Sequence, residues 1–249
     1  KDPVNLRLLD IGGDKQIPYL QLPVESNPFL GVRGVRLYRA LPEIFRTHLR
    51  ALLRASSAGT LKVMIPMVSR PEEVEEVRDE FLKAHQELRG AGESHTWPVE
   101  LGIMIETPAA VEMVRELSEV SDFFSIGTND LTQYVMAADR GNQGVGHLSD
   151  ALHPAVLRAV ARVAAVAREE NTPCGVCGEL AGDPQGALVL AGLGVTSLSA
   201  SGAAIPAIKE QLRRFTTDEL RRLAERVLHE KSAAAVRQRC SSLEASGAD

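Results

Sequence analysis

Residues 123–133 concentrate more chemistry than any other stretch: an apolar, aromatic run, Phe123-Phe124-Ser125-Ile126, breaks off at Gly127-Thr128-Asn129-Asp130-Leu131-Thr132-Gln133. A buried parallel strand ends this way when it hands polar side chains to a site at its C-terminal edge. Asn129 can donate from its amide to an anionic oxygen, and Asp130 offers a hard carboxylate suited to Mg²⁺ or Mn²⁺. A second carboxylate, Glu106, closes the apolar run Leu101-Gly102-Ile103-Met104-Ile105. Either acid alone could be a loop solvator or a helix cap. On successive strands they form a candidate metal pair, because Mg²⁺ commonly takes one or two carboxylates together with water and substrate phosphate. Arg7, Arg33 and Arg140 each fall near a strand end or in a loop beyond one. A single arginine is usually a surface ion pair, but three on one rim beside a metal suit a polyanionic substrate, whose oxygens match the guanidinium fork.

Cys174-x-x-Cys177 has no second pair at zinc-binding spacing, so Cys174 is expected to be a small buried hydrophobe. Cys177 stands at its strand tip before Gly178-Glu179, where a thiol could act as a proton donor. His147 and His153 follow Arg140 in one loop and are expected mainly at the surface.

The elements that must position these residues alternate. Apolar runs at residues 4–11, 61–67, 100–106, 123–127, 173–179 and, more weakly, 194–201 read as strands. Helical spacing appears over about 42–55, from the Ser69-Arg70-Pro71-Glu72 capping box to Gly90, after Thr107-Pro108, over 154–169, near 205–214 and after Thr216-Thr217-Asp218-Glu219. A long, proline-bearing connection runs from about residue 12 to 34 with little periodicity, and such connections in compact domains are usually functional or disordered. Parallel α/β architecture follows, and chemistry at strand C-termini points to a (βα)₈ TIM-type barrel. Six strands are two short of eight. The two absent strands are expected N-terminal to Lys1, which makes the chain a piece of a longer protein with a partial barrel over residues 1–238 and a disordered tail over 239–249.

At 249 residues and a net charge of −5, with both signs mixed along the chain, there is no basic footprint for nucleic acid and no attraction to an acidic membrane surface. No apolar run reaches the length of a membrane helix, the N-terminus lacks a signal-peptide pattern, and three cysteines make no disulfide framework. A cytoplasmic protein is expected.

Leu9-Asp10-Ile11-Gly12-Gly13-Asp14-Lys15, Asn27-Pro28-Phe29-Leu30-Gly31, Glu106-Thr107-Pro108-Ala109-Ala110, the 123–133 run, Asp139-Arg140-Gly141-Asn142 and Cys177-Gly178-Glu179-Leu180-Ala181-Gly182-Asp183 occur in order between Arg7 and about Lys209. In these motifs the chain resembles the C-terminal phosphoenolpyruvate (PEP)-binding barrel of the enzyme I family of the PEP-dependent sugar phosphotransferase system. The resemblance implies that Glu106 and Asp130 bind Mg²⁺, that Arg7, Arg33, Asn129, Asp130 and Arg140 surround PEP, and that Cys177 is the proton donor that turns the enolate into pyruvate. It also implies a homodimer, and transfer of the phosphoryl group to a histidine on another domain and then to a histidine-containing phosphocarrier protein.

The phosphoacceptor domain and the carrier-binding domain have no counterpart in these residues, so the chain alone is expected to bind Mg²⁺·PEP without completing transfer. Two rivals stand beside this expectation: the barrel of a pyruvate phosphate dikinase or PEP synthase, which looks similar at the Glu-Thr-Pro and Thr-Asn-Asp motifs, and a non-catalytic dimerisation or regulatory module.

Overall fold

A computed structural model describes residues 2–13, 17, 20, 22 and 24–246 of the chain. Asp14 and Lys15, with Pro18 and Pro23 of the long connection, lie outside the described residues. The chain divides into two compact units, one of residues 1–104 with 119–123 and one of residues 105–118 with 124–249.

Three parallel strands organise the first unit: β1 (Val4–Arg7), β2 (Leu61–Ile65) and β3 (Glu100–Ile105), with Val4 opposite Leu61 and Val63 opposite Leu101. In β2 the residues Leu61, Val63 and Ile65 are buried, and β3 is buried throughout after Glu100. The continuous apolar run of β3 is what a parallel strand covered on both faces requires, whereas β2 alternates buried residues with the half-buried Lys62 and Met64. Between β1 and β2 lie the short α1 (Leu37–Ala40) and α2 (Pro42–Ala55), and α3 (Pro71–Gly90) leads to β3. Helix α2 turns Phe45, Leu49, Leu52 and Leu53 inward and packs on α3, whose buried stripe is Val74, Val77, Phe81, Ala84 and Leu88. The expected capping box at residues 69–72 is displaced by one residue: Glu73 reaches back so that its Oε2 accepts from the backbone of Ser69 at 2.7 Å and of Arg70 at 3.3 Å. Proline at the first helical position fixes where the helix begins, so the acid three positions beyond Arg70 is the one in reach.

The chain leaves β3 through α4 (Pro108–Glu112) and α5 (Val114–Val120). The second unit is then built on β4 (Phe124–Gly127), α6 (Thr128–Met136), α7 (Pro154–Glu169), β5 (Cys174–Cys177), α8 (Pro184–Gly192), β6 (Ser197–Ser199), α9 (Ile205–Arg213), α10 (Thr217–Val227) and α11 (Ala233–Ser246). Strands β4, β5 and β6 again pair in parallel, with Gly127 opposite Cys177 and Cys177 opposite Ser199. Helix α8 is apolar all round and buries Ala187, Leu188, Val189 and Leu190, as a helix covered on every side must. Helices α10 and α11 both pack on it.

Four expectations from the sequence are corrected. The first strand ends at Arg7, not Ile11, because the chain turns so that Asp10 meets Arg33. The sixth strand shrinks to Ser197–Ser199. Helix α6 was not anticipated, since Thr, Asn and Asp are poor helix formers and the segment is too short to show a period. Of the tail expected to be disordered after Gln238, residues 239–246 are instead part of α11, which buries Val236 and Cys240. Two inward residues four apart, among alanines and polar groups, give little periodicity, but they suffice once α8 and α10 supply a surface. Among the described residues no helix is long and apolar enough to cross a membrane.

If α11 is an integral part of the second unit, Val236→Ala removes two buried methyl groups and leaves a void, and should lower unfolding stability by about 2 kcal/mol in a denaturant titration. A change below about 0.5 kcal/mol, typical of a solvated segment, would restore the disordered tail.

Candidate functional site

Each unit carries part of the expected residue set. In the first, Arg7 ends β1 and Arg33 follows the long connection. Both address Asp10: Arg33 Nε donates to Oδ1 at 3.3 Å and Nη2 to Oδ2 at 3.0 Å, while Arg7 Nη1 lies 3.7 Å from Oδ2. Arg33 is 1 % exposed and forms a two-point fork on a buried carboxylate, so that edge of its guanidinium is committed to the protein. Burial of this charge is tolerable because it is paired and hydrogen-bonded. Arg7 keeps an exposed side chain.

In the second unit the strand ends are locked to one another. Strand β4 stops at Gly127 and α6 begins at once, so Asn129 and Asp130 sit in the first turn of a helix and not in a loop. The Thr128 hydroxyl donates to the Cys177 carbonyl at 3.2 Å, and the Glu179 backbone N–H donates to Asn129 Oδ1 at 2.9 Å. With its oxygen so engaged, the Asn129 amide presents Nδ2–H₂, its donor end, to any further partner. Gly178 makes this approach possible. Its φ is +111°, and a Cβ there would collide with the Thr128 hydroxyl and come within 2.9 Å of Asn129 Oδ1.

Asp130 lies in the positive first turn of α6, and Arg140 Nη2 comes within 3.6 Å of its Oδ1. Arg140 is itself fixed through its backbone N–H, which donates to the Oε1 of the buried Gln133 at 3.1 Å. Glu106 follows β3 directly and is 0 % exposed. Thr107 then caps α4, its hydroxyl accepting from the Ala110 N–H at 3.1 Å, which fixes the backbone beside Glu106. Among the described residues no group of three or more His, Cys, Asp or Glu is arranged to hold a metal. Glu106 and Asp130 nevertheless fit Mg²⁺ by type, because two buried hard carboxylates are the protein share of a site that water and phosphate complete.

The two cysteines of β5 are in different circumstances. Cys174 is buried, and desolvation pushes its thiol up to about 12, so it stays protonated and inert. Cys177, three residues further along at the strand tip and therefore on the opposite face of the strand, is half-buried, and the Ser125 hydroxyl donates to its Sγ at 3.2 Å. That bond holds the sulfur in one orientation.

A cavity of about 560 Å³ opens within the second unit, lined by Asn129, Thr132, Arg140, Asp150, Glu179 and Arg237 among others. Of the expected residues it gathers Asn129 and Arg140. It also shows what the sequence left unseen. The Thr132 hydroxyl is buried in its wall with no hydrogen-bond partner among the described residues, and Arg237 arrives from α11. Thr132 lies within the 123–133 run, but nothing in its type or spacing marks it as a wall residue, and Arg237 lies in a segment with no visible period. His147 also lines the cavity, whereas His153 is a cap, its Nδ1 accepting from the Ala155 N–H at 3.2 Å.

Residues 1–217 match the family described as PEP-utilising enzyme, PEP-binding domain. The chain is 49 % identical over 235 residues to a multiphosphoryl transfer protein of Rhodobacter capsulatus, covering 94 % of this chain and 28 % of that protein. It is 46 % identical over 230 residues to a phosphoenolpyruvate-protein phosphotransferase of Listeria monocytogenes, covering 92 % of this chain and 40 % of that one. The chain thus spans well under half the length of these relatives. Among solved structures, a citrate lyase from Burkholderia xenovorans matches with a TM-score of 0.50 at 19 % identity over 83 % of this chain and 69 % of that one, a likeness of fold alone. On the extent of the family match and the identity to these relatives, the chain belongs to the PEP-binding domain family of PEP-utilising enzymes.

Proposed function

We propose that this chain is the PEP-binding catalytic part of a phosphoenolpyruvate-protein phosphotransferase, a cytoplasmic transferase of the sugar phosphotransferase system. One observation carries most weight: an oriented amide, Asn129, and a guanidinium, Arg140, line one cavity, and the same guanidinium meets the carboxylate of Asp130. A donor, a cation and a hard anion so arranged suit a phosphorylated carboxylic acid that arrives with a divalent metal. The names of the relatives favour a protein phosphotransferase over a pyruvate phosphate dikinase or PEP synthase. The parallel strands, with candidate residues at their C-terminal ends, accord with a TIM-type barrel short of two strands.

In this proposal Arg140 and Asn129 hold the phosphoryl oxygens; Arg7 and Arg33 are substrate-binding cations on the strength of the family resemblance alone, and within their own unit Asp10 sets the angle of Arg33. Glu106 and Asp130 would hold Mg²⁺, which when bound supplies charge against the transferring phosphoryl group. Transfer breaks the bond from phosphorus to the enol oxygen, whose electron pair remains on oxygen as pyruvate enolate. A bond forms from phosphorus to a ring nitrogen of a histidine on another domain, and a histidine-containing carrier protein receives the group next. Cys177 gives its thiol proton to C3 of the enolate, which closes the C–H bond of the methyl group, and the thiolate regains a proton from water. Positioning does most of the work in such a loose transition state, and the short links among Thr128, Asn129, Cys177 and Glu179 supply it. The family's homodimer is carried over with the same proposal.

Calorimetric titration with PEP in the presence of Mg²⁺ tests the binding half. Metal-dependent binding that Asp130→Ala weakens by at least about tenfold is expected, roughly 1.4 kcal/mol. Equal affinity in the variant, or binding indifferent to Mg²⁺, would refute it. The proton-transfer half is read by proton NMR of pyruvate in D₂O, because a group that protonates C3 must also remove a proton from it. The chain should accelerate deuterium entry into the methyl group, and Cys177→Ala should slow that by about 100-fold while leaving PEP affinity within about twofold. Undiminished exchange in the variant would assign the proton to another group.

A further inference from the structure

Arg237 lies beyond residue 217, where the family match ends, yet it forms part of the cavity that holds Asn129 and Arg140. It comes from α11, the helix that sequence periodicity did not reveal. Its guanidinium bridges two carboxylates. Nη2 donates to both oxygens of Asp150, at 3.2 and 3.3 Å, and Nη1 to Asp183 Oδ2 at 3.5 Å. Neither aspartate is idle. Asp150 Oδ1 also accepts from the Leu152 N–H at 2.9 Å, shaping the turn that enters α7, and Asp183 Oδ1 caps α8 by accepting from the Gly186 N–H at 2.8 Å. One arginine therefore ties together three elements of the second unit at the cavity wall.

The charge balance gives this tie a purpose. Asp150, Asp183 and Glu179 line the cavity with Arg140 and Arg237. Without Arg237, two aspartates would face the space in which a phosphate and a carboxylate are proposed to bind, and both would lose the guanidinium that now pairs with them. Like charge at such a distance in a partly enclosed cavity opposes anion binding. A pair of half-exposed ion pairs contributes little to stability, so its effect should appear in the site and not in the folding of the unit.

We propose that Arg237 is a positioning residue of the substrate cavity: it fixes the 149–151 wall to the N-terminus of α8 and neutralises the two aspartates that would otherwise repel an anionic substrate. The part that concerns substrate rests on the assignment of PEP to this cavity. The part that concerns the wall does not.

The 249-residue chain is titrated with PEP and Mg²⁺ at a temperature well below its melting transition, and amide hydrogen exchange of residues 146–152 is recorded in parallel. Arg237→Ala should weaken PEP binding about tenfold and speed exchange in the wall. Adding Asp150→Asn to Arg237→Ala removes one freed charge and should restore affinity to within about threefold of the parent, a rescue that a purely structural defect would not show. Arg239→Ala, on the same helix as Arg237, loses an ion pair with Glu230 of the α10–α11 connection and should change neither readout. Affinity and exchange in Arg237→Ala indistinguishable from those in Arg239→Ala would overturn the inference while leaving the PEP assignment intact. If the parent chain binds no PEP, that assignment fails, and the exchange data alone decide: faster exchange in Arg237→Ala upholds the positioning role, and unchanged exchange ends it.

Discussion

The second unit depends on how closely the backbone after β5 can approach the first turn of α6. Three neighbouring links enforce that approach: the Thr128 hydroxyl on the Cys177 carbonyl, the Glu179 N–H on the Asn129 amide oxygen, and the left-handed turn at Gly178 that leaves no room for a side chain. From this one constraint follow the direction in which Asn129 donates, the placing of Asp130 in a helix N-terminus, and the standing of Cys177 at the strand tip. Any residue other than glycine at position 178 would have to push α6 and β5 apart, and every candidate group of the unit would move with them.

Buried charge is the second organising element, and it is handled differently in the two units. Asp10 and Arg33 are both buried, and their two-point contact makes burial tolerable at the expense of one edge of the guanidinium. In the second unit the charges are looser. Arg140 stands 3.6 Å from Asp130, and Arg237 divides its donors between two half-exposed aspartates. Arg140, proposed to trade a protein partner for substrate oxygens, cannot be saturated by the protein beforehand, whereas Arg237, proposed to hold a wall, keeps its two aspartates.

Much of this was legible in the sequence, for identifiable reasons. Strands β2 to β5 announced themselves because buried parallel strands are largely apolar runs, and the caps at Thr107 and Thr216 because capping needs particular side chains at particular spacings. Glu106, Asn129, Asp130 and Cys177 stood out as polar groups where such runs stop. Three things were not legible. Helix α6 forms from residues with poor helical propensity because the β5 turn packs against it. Helix α11 has two buried residues among alanines, too few to mark a face. The committed state of Arg33 depends on Asp10, 23 residues away, which spacing cannot pair.

The claim at the centre of this account is that Glu106 and Asp130 share a metal at the site where Arg140 and Asn129 bind a phosphorylated substrate. Its most direct test is a crystal of the chain grown with PEP and Mn²⁺, a stand-in for Mg²⁺ that can be located by anomalous scattering. The account predicts one anomalous peak within about 2.2 Å of a carboxylate oxygen of each residue, touching a phosphate oxygen that Arg140 also contacts. A peak elsewhere, or PEP held with neither carboxylate on the metal, would contradict it.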